Sequence, residues 1–191
     1  MQMTQHIRLT LCAAFAGIVA VAGQQNEPAG NLPEPEFANV FFRLIDGKLI
    51  SLERQTATVH VHAGGFIVHD ASGEGEVRGA RSPVRFQHTD TFDLVVRCPA
   101  ALADEDPDTV YRLRVLNVKK HMRQWLFASG GAVGGVHASV KSRSDGILPV
   151  KWSKYAGSSL IMNTGSLPPG EYAVGRVQQG GTMTVFCFGV D

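Results

Sequence analysis

From Phe37 to Asp191 the apolar residues fall in short stretches broken by Gly, Pro, Ser, Asp and Asn, and no window keeps the three-to-four spacing of an amphipathic helix. Val40 to Ile45 and Lys48 to Leu52 flank Asp46-Gly47, a pair that tolerates positive φ at both central turn positions and so predicts a hairpin. Thr56 to Ala63 alternates β-branched with polar residues, and Phe92 to Cys98 is a β-rich run. Val110 to Val118 sets Tyr111, Leu113 and Val115 against Arg112 and Arg114, the period of a half-buried strand. Val136 to Lys141, Ile147 to Lys154, Ser159 to Met162, Glu171 to Val177 and Thr182 to Val190 continue the rhythm. The expected fold is all-β, an immunoglobulin-like β-sandwich of about nine or ten strands. Leu167-Pro168-Pro169-Gly170-Glu171-Tyr172 reads as a turn into a strand, a corner frequent in such sandwiches.

The start of the chain follows a different pattern. One basic residue, Arg8, precedes an apolar run of 14 residues from Leu9 to Ala22 that ends in small side chains, the layout of an export signal cleaved near Ala22 or Gly23. A membrane span needs about 20 apolar residues, so no stable transmembrane anchor is expected after cleavage. Asn26 to Glu36 contains three prolines and no apolar periodicity. The organisation expected is a signal peptide over 1–23, a Pro-rich flexible tether over 24–36 and one domain over 37–191, in the periplasm or outside the cell. Taking Arg8 away from the 18 basic residues leaves 17 against 17 acidic ones, so no net charge steers the body toward nucleic acid.

Four short segments, Leu49-Ile50-Ser51-Leu52-Glu53, Gly79-Ala80-Arg81-Ser82-Pro83-Val84-Arg85-Phe86, Pro169-Gly170-Glu171-Tyr172-Ala173 and Phe186-Cys187-Phe188-Gly189-Val190-Asp191, give the chain a resemblance. It resembles exported bacterial proteins of unknown function with an L-x-P-G-E-Y turn and an F-C-F-G-V-D ending. The resemblance implies an exported β-rich fold and brings no activity and no catalytic residue.

Cys98 and Cys187 lie in predicted strands. An oxidising compartment permits a disulfide closing a loop of nearly 90 residues, a bridge that contributes roughly 4–5 kcal/mol in a chain-entropy account; two separate buried thiols are the alternative. His60-Val61-His62 places two imidazoles two residues apart, on one side of a strand, with His69 or Asp70 following, which suits copper or zinc. That element is similar to the His-x-His strand of copper-zinc superoxide dismutase, although the bridging histidine and aspartate pattern of that enzyme does not follow here. Lys119, Lys120 and Arg123 with Trp125 form a basic-aromatic patch suited to an anionic surface or partner; the alternative is a charged hairpin turn with Trp125 partly packed.

Other sites fall away on spacing. Asp104, Glu105, Asp106 and Asp108 lack the calcium-loop spacing, Gly130 to Gly135 is not followed by a helix, and Ser82 lacks the glycines of a nucleophile elbow. No catalytic residue and no cofactor is expected. The functional expectation is a non-catalytic binding or structural module of the cell envelope, its partner an unidentified protein or envelope component, with a metal-binding envelope protein using His60 and His62 as the alternative.

Overall fold

A computed structural model describes residues 32–64, 68–89, 91–133, 137–142, 146–177 and 182–191, with backbone alone at 61–64, 68–72, 127–133 and 137–142. Leu32–Asp191 is one compact unit. Its strands are β1 (Phe41–Ile45), β2 (Lys48–Ser51), β3 (Glu53–Gly64), β4 (Val68–Arg78), β5 (Arg85–Phe86), β6 (Asp93–Arg97), β7 (Tyr111–Lys119), β8 (Met122–Val133), β9 (His137–Ser142), β10 (Lys151–Lys154), β11 (Ser159–Asn163), β12 (Gly170–Arg176) and β13 (Thr182–Val190). A 3-10 turn at Ala100–Leu102 and a one-turn helix, α1 (Pro107–Val110), interrupt them.

The all-β expectation holds, but the architecture differs from two open sheets facing each other. Strands β12, β7, β8, β4, β3 and β13 pair in that order, and β12 also pairs with β13, so six strands close into a barrel. Strands β10, β11, β6, β1 and β2 form a separate sheet. Alternation explains how one chain builds two cores. On β12 and β13, Tyr172, Val174, Phe186, Phe188 and Val190 point out of the barrel and pack with Phe41, Leu94, Val96 and Met162 of the sheet. Phe188 stacks on Phe92 with ring centroids 4.8 Å apart and on Tyr172 at 5.4 Å. The intervening residues Ala173, Val185 and Cys187 point inward and meet Ala57, Val77, Leu116 and Trp125. Burying each large apolar side chain contributes about 1.5–3 kcal/mol, so both layers matter to the fold.

Several local expectations fit. Asp46 and Gly47 have φ of 48° and 72°, as the β1–β2 hairpin turn requires. The Tyr172 hydroxyl donates to the Pro168 carbonyl at 2.5 Å, tying the corner before β12 to the strand it opens. Strands β4 and β8 are not predicted from the sequence pattern, and the glycine-rich stretch, whose composition suits a loop, enters β8 at Gly130 and Gly131. The reason lies inside the barrel: a Cβ on Gly75 of β4 would lie 2.1 Å from the Trp125 ring, so a residue that looks like a strand breaker is what gives the indole its space.

Two further observations concern the segment before β1 and the cysteines. Residues 1–31, including the expected signal segment, lie outside the described residues. The last part of the expected tether is docked: Pro35 is buried, Glu34 Oε1 accepts from Ser158 N at 3.0 Å and Ser159 Oγ at 2.8 Å, and Arg97 Nη1 donates to Glu36 O at 3.0 Å. Cys98 and Cys187 are both free thiols rather than a disulfide. Alternation puts them in different cores, since Cys187 points into the barrel and Cys98 packs on the layer between barrel and sheet.

Candidate functional site

Three places concentrate the chemistry of this molecule: a paired charge cluster in the barrel, an arginine pair elsewhere on the barrel-side face, and a cleft outside it.

The charge cluster centres on Arg123 of β8, fully buried. Its Nη1 lies 2.9 Å from Glu53 Oε2 and 3.5 Å from Glu171 Oε2, its Nη2 donates to Glu53 Oε1 at 3.1 Å and to the Arg78 carbonyl at 2.9 Å, and its Nε donates to the Gly79 carbonyl at 2.9 Å. Glu171, 6% exposed, accepts from Ser82 N at 2.8 Å and pairs with Arg85 Nη1 at 2.6 Å. Arg85 in turn pairs with Asp191, which also accepts from Arg81 at 3.0 Å. Gly189 makes this possible, because a Cβ there would fall 2.1 Å from Arg85 Nη1. Burial pushes the Glu53 carboxyl upward, but the hydrogen bonds from Arg123, Gln55 and Ser82 outweigh it and hold the group below its ordinary value. The four segments that carry the sequence resemblance, separated along the chain, all contribute to this cluster: Glu53, Arg81 with Ser82 and Arg85, Glu171, and Asp191. Every donor nitrogen of Arg123 is engaged within the fold, which makes the cluster a brace.

The arginine pair lies on β7. Arg112 and Arg114 alternate with the outward-packed Tyr111 and Leu113, which places them on the barrel-side face with Leu116. Their register partners on β12 are Gly175 and Ala173, which add almost no side-chain bulk. β7 also borders the shortest seam of the barrel. It pairs with β8 only at Asn117 to Lys119; at Leu113 to Val115 the chain at 146–148 pairs with it instead, through Val115 N to Gly146 O and Leu148 N to Leu113 O. β8 meanwhile continues alongside β9. Arg112 Nη1 donates to the Tyr111 carbonyl at 3.0 Å, whereas Arg114 Nη1 is shielded from solvent and has no hydrogen-bond partner among the described residues. Burial, then the like charge of Arg112, lower the Arg114 pKa from its ordinary value.

The cleft, about 780 Å³, opens beside the end of β6. Cys98, Leu102, Val110, Tyr111 and Leu160 supply its apolar wall, while Arg97, Lys154, Asp104 and Glu105 give its rim charges of both signs. The strand ends at Arg97, so the chain turns through Pro99 into the 3-10 turn and α1, and these two short elements form one side of the cleft. Asp106 caps α1 by accepting from Asp108 N at 3.0 Å, and Asp108 accepts from Trp152 Nε1 at 2.9 Å. The acidic run therefore serves local structure, which corrects any reading of it as one ligand cluster. The Tyr111 hydroxyl donates to Asn39 Oδ1 at 2.7 Å, and burial, followed by the neighbouring Cys98, raises its pKa.

The residues singled out from sequence separate in space. Lys119 and Lys120 are exposed at the β7–β8 turn, but Arg123 and Trp125 are buried in the barrel, so the four do not form one patch. Strand alternation sends the guanidinium inward, where Glu53 and Glu171 await it. His60 and His62 do occupy alternate positions of β3, paired across the ladder with Glu74 and Ser72, and His69 lies on β4 opposite Ala132 of β8. The side chains of His62 and His69 lie outside the described residues; among those described, no group of three His, Cys, Asp or Glu side chains is placed to hold a metal. Sequence reasoning passed over Glu53 and Glu171 as site residues and used Arg112 and Arg114 only as the polar half of a strand. The signal for the second pair was two arginines at strand spacing with no acid between them. Comparison with protein-family models, curated proteins and solved structures finds no match.

Proposed function

We propose that this chain is a non-catalytic binding module of the cell envelope, exported through its N-terminal apolar segment, whose ligand or partner segment enters the cleft beside Cys98. The observation that carries this reading is the cleft itself: its volume of about 780 Å³ lies within the size range of small-molecule sites, and an apolar wall with a charged rim is their usual lining. The cleft stands on braced elements. Glu34 ties the segment before β1 to Ser158 and Ser159, and Asp106 and Pro107 set the first turn of α1. A pre-formed site of this kind loses little ordering entropy on binding.

The test is a fragment titration of the full chain followed by NMR, with Ala103→Trp as the filled variant, since Ala103 is exposed and lines the cleft. Fragments that shift resonances of Cys98, Leu102 and Leu160 in the native chain and lose that effect in the variant, at unchanged melting temperature, support the reading. Binding that ignores the tryptophan, or no binding at the cleft, removes it. Export is tested separately by fusing residues 1–31 to a reporter enzyme that is active only outside the cytoplasm; an inactive fusion sinks that part.

A further inference from the structure

Arginine charge in this molecule is met in three ways, and the third is incomplete. Arg123 and Arg85 meet carboxylates. Arg43, also buried and with Nε and Nη1 lacking hydrogen-bond partners among the described residues, lies with its guanidinium carbon 3.3 Å from the centroid of the Phe92 ring, so its charge faces a π cloud. Arg112 and Arg114 have neither an ion pair nor a ring beneath them among the described residues. Two residues apart on an extended strand, their Cα atoms are about 7 Å apart on one face. Directly opposite them β12 offers only Ala173 and Gly175, with Val185 beyond, and the next acid on that face, Glu171, is opposite Leu116 and engaged by Ser82, Arg85 and Arg123. Two like charges beside an apolar, small-residue wall, one of them with a shielded and unpaired nitrogen, disfavour the empty state of the fold and favour any state in which an anion sits between them.

We infer that Arg112 and Arg114 form a binding site for a small oxyanion, the carboxylate or phosphate group of a ligand seated on the barrel-side face of β7. The site has the required parts: two guanidinium forks for two or more oxygens, an apolar wall for whatever the anion is attached to, and the short β7–β8 seam beside it as the place where the barrel wall is least paired. It is separate from the cleft beside Cys98, so either reading stands if the other fails.

The experiment uses the full chain and two probes, inorganic phosphate and decanoate, followed by calorimetric titration and thermal melting. The variants are R112Q/R114Q and, as a control for lost charge, Arg54→Gln, whose arginine is exposed and in register with the outward-packed Phe186 on β13. At least one probe is expected to bind the native chain and Arg54→Gln and to raise their melting temperature, with about 10- to 100-fold weaker binding in the double variant. Response to phosphate alone identifies a phosphorylated or free phosphate ligand; response to decanoate alone identifies a carboxylate with an apolar tail. Without probe, the double variant is expected to melt no lower than the native chain, because it loses a like-charge pair and only one internal hydrogen bond, that from Arg112 to the carbonyl of its neighbour Tyr111. Failure of both probes to bind, equal binding by the double variant, or a drop of several degrees in its probe-free melting temperature each overturns the assignment, the last by showing that the arginines hold the fold.

Discussion

The barrel handles arginine in two opposite ways. At Arg123 a fully buried guanidinium finds two carboxylates and two backbone carbonyls, and a second arginine completes the charge balance from outside through Glu171. At Arg112 and Arg114 two guanidinium groups share one face with Gly175 and Ala173 opposite, and among the described residues no acid pairs with them. Both arrangements come from the same strand alternation, which sends every second residue inward whether or not it is apolar. The difference is in what meets the charge on arrival. A charge with its counter-charges in the fold is a structural brace, and breaking it leaves its partners stranded; a charge without them is a cost that folding alone does not recover. The comparison therefore makes a prediction of sign as well as size.

The largest effect belongs to the paired end. Arg123→Met removes the cation and leaves Glu53 and Glu171 buried or half-buried without it, a loss of about 3–5 kcal/mol measured by urea denaturation. R112Q/R114Q is expected to leave stability unchanged or raise it. If the two variants lose equal stability, the distinction between brace and binding site collapses. An uncharged reference comes next. Gly75→Val places its Cβ against the Trp125 ring and costs about 1–3 kcal/mol by overpacking, which calibrates how rigid the interior is without touching either charge set.

These variants also mark how far the sequence could be read. The Asp46-Gly47 hairpin, the Pro168 to Tyr172 corner and the final strand are local devices, set by turn chemistry within a few residues, and they were legible. Strands β4 and β8 were not, because Gly73, Gly75, Gly130 and Gly131 weaken a strand in isolation and are tolerated only where a closed barrel pairs both edges and an indole needs space. Arg123 and Trp125 looked like a surface patch for the same reason: a buried arginine is affordable only when its acids arrive, and those acids stand 48 and 70 residues away. The four resemblance segments contained the answer in scattered form, since each supplies a member of the charge cluster, but nothing in one chain says which acid meets which base.

Acid should act on the two ends unequally. The folded Glu53 carboxyl is held below its ordinary value of 4.5, so its contribution is fully present above the unfolded value and is lost as pH falls through the folded one. Among the described residues the arginine pair has no carboxylate partner to protonate. Urea midpoints taken from about pH 7 down to about pH 3 should therefore fall on the acid side, and Glu53→Gln should flatten that fall. Asp191, held low by Arg85, and Glu34, held low by Ser159, share the same limb, so the slope is reduced and not abolished. An acid limb identical in native chain and Glu53→Gln would mean that the carboxylate does not brace the barrel.

The smallest effect is a rate, and it reports directly on the barrel interior. Cys187 points inward next to the charge cluster; burial, partly offset by Arg123, pushes its thiol up to about 12, whereas Cys98 lines the open cleft. Alkylation needs a thiolate that the reagent can reach. Iodoacetamide at about pH 8, where an ordinary thiol is substantially ionised, followed by peptide mass spectrometry, should label Cys98 and leave Cys187 intact in the folded chain. Labelling of Cys187 then measures opening of the barrel. It should rise in Arg123→Met, where the brace is gone, and stay at the native level in R112Q/R114Q, where only unpaired charge has been removed. If instead the second variant exposes Cys187 as fast as the first, the β7–β8 seam depends on its arginines, and the unpaired end is as structural as the paired one.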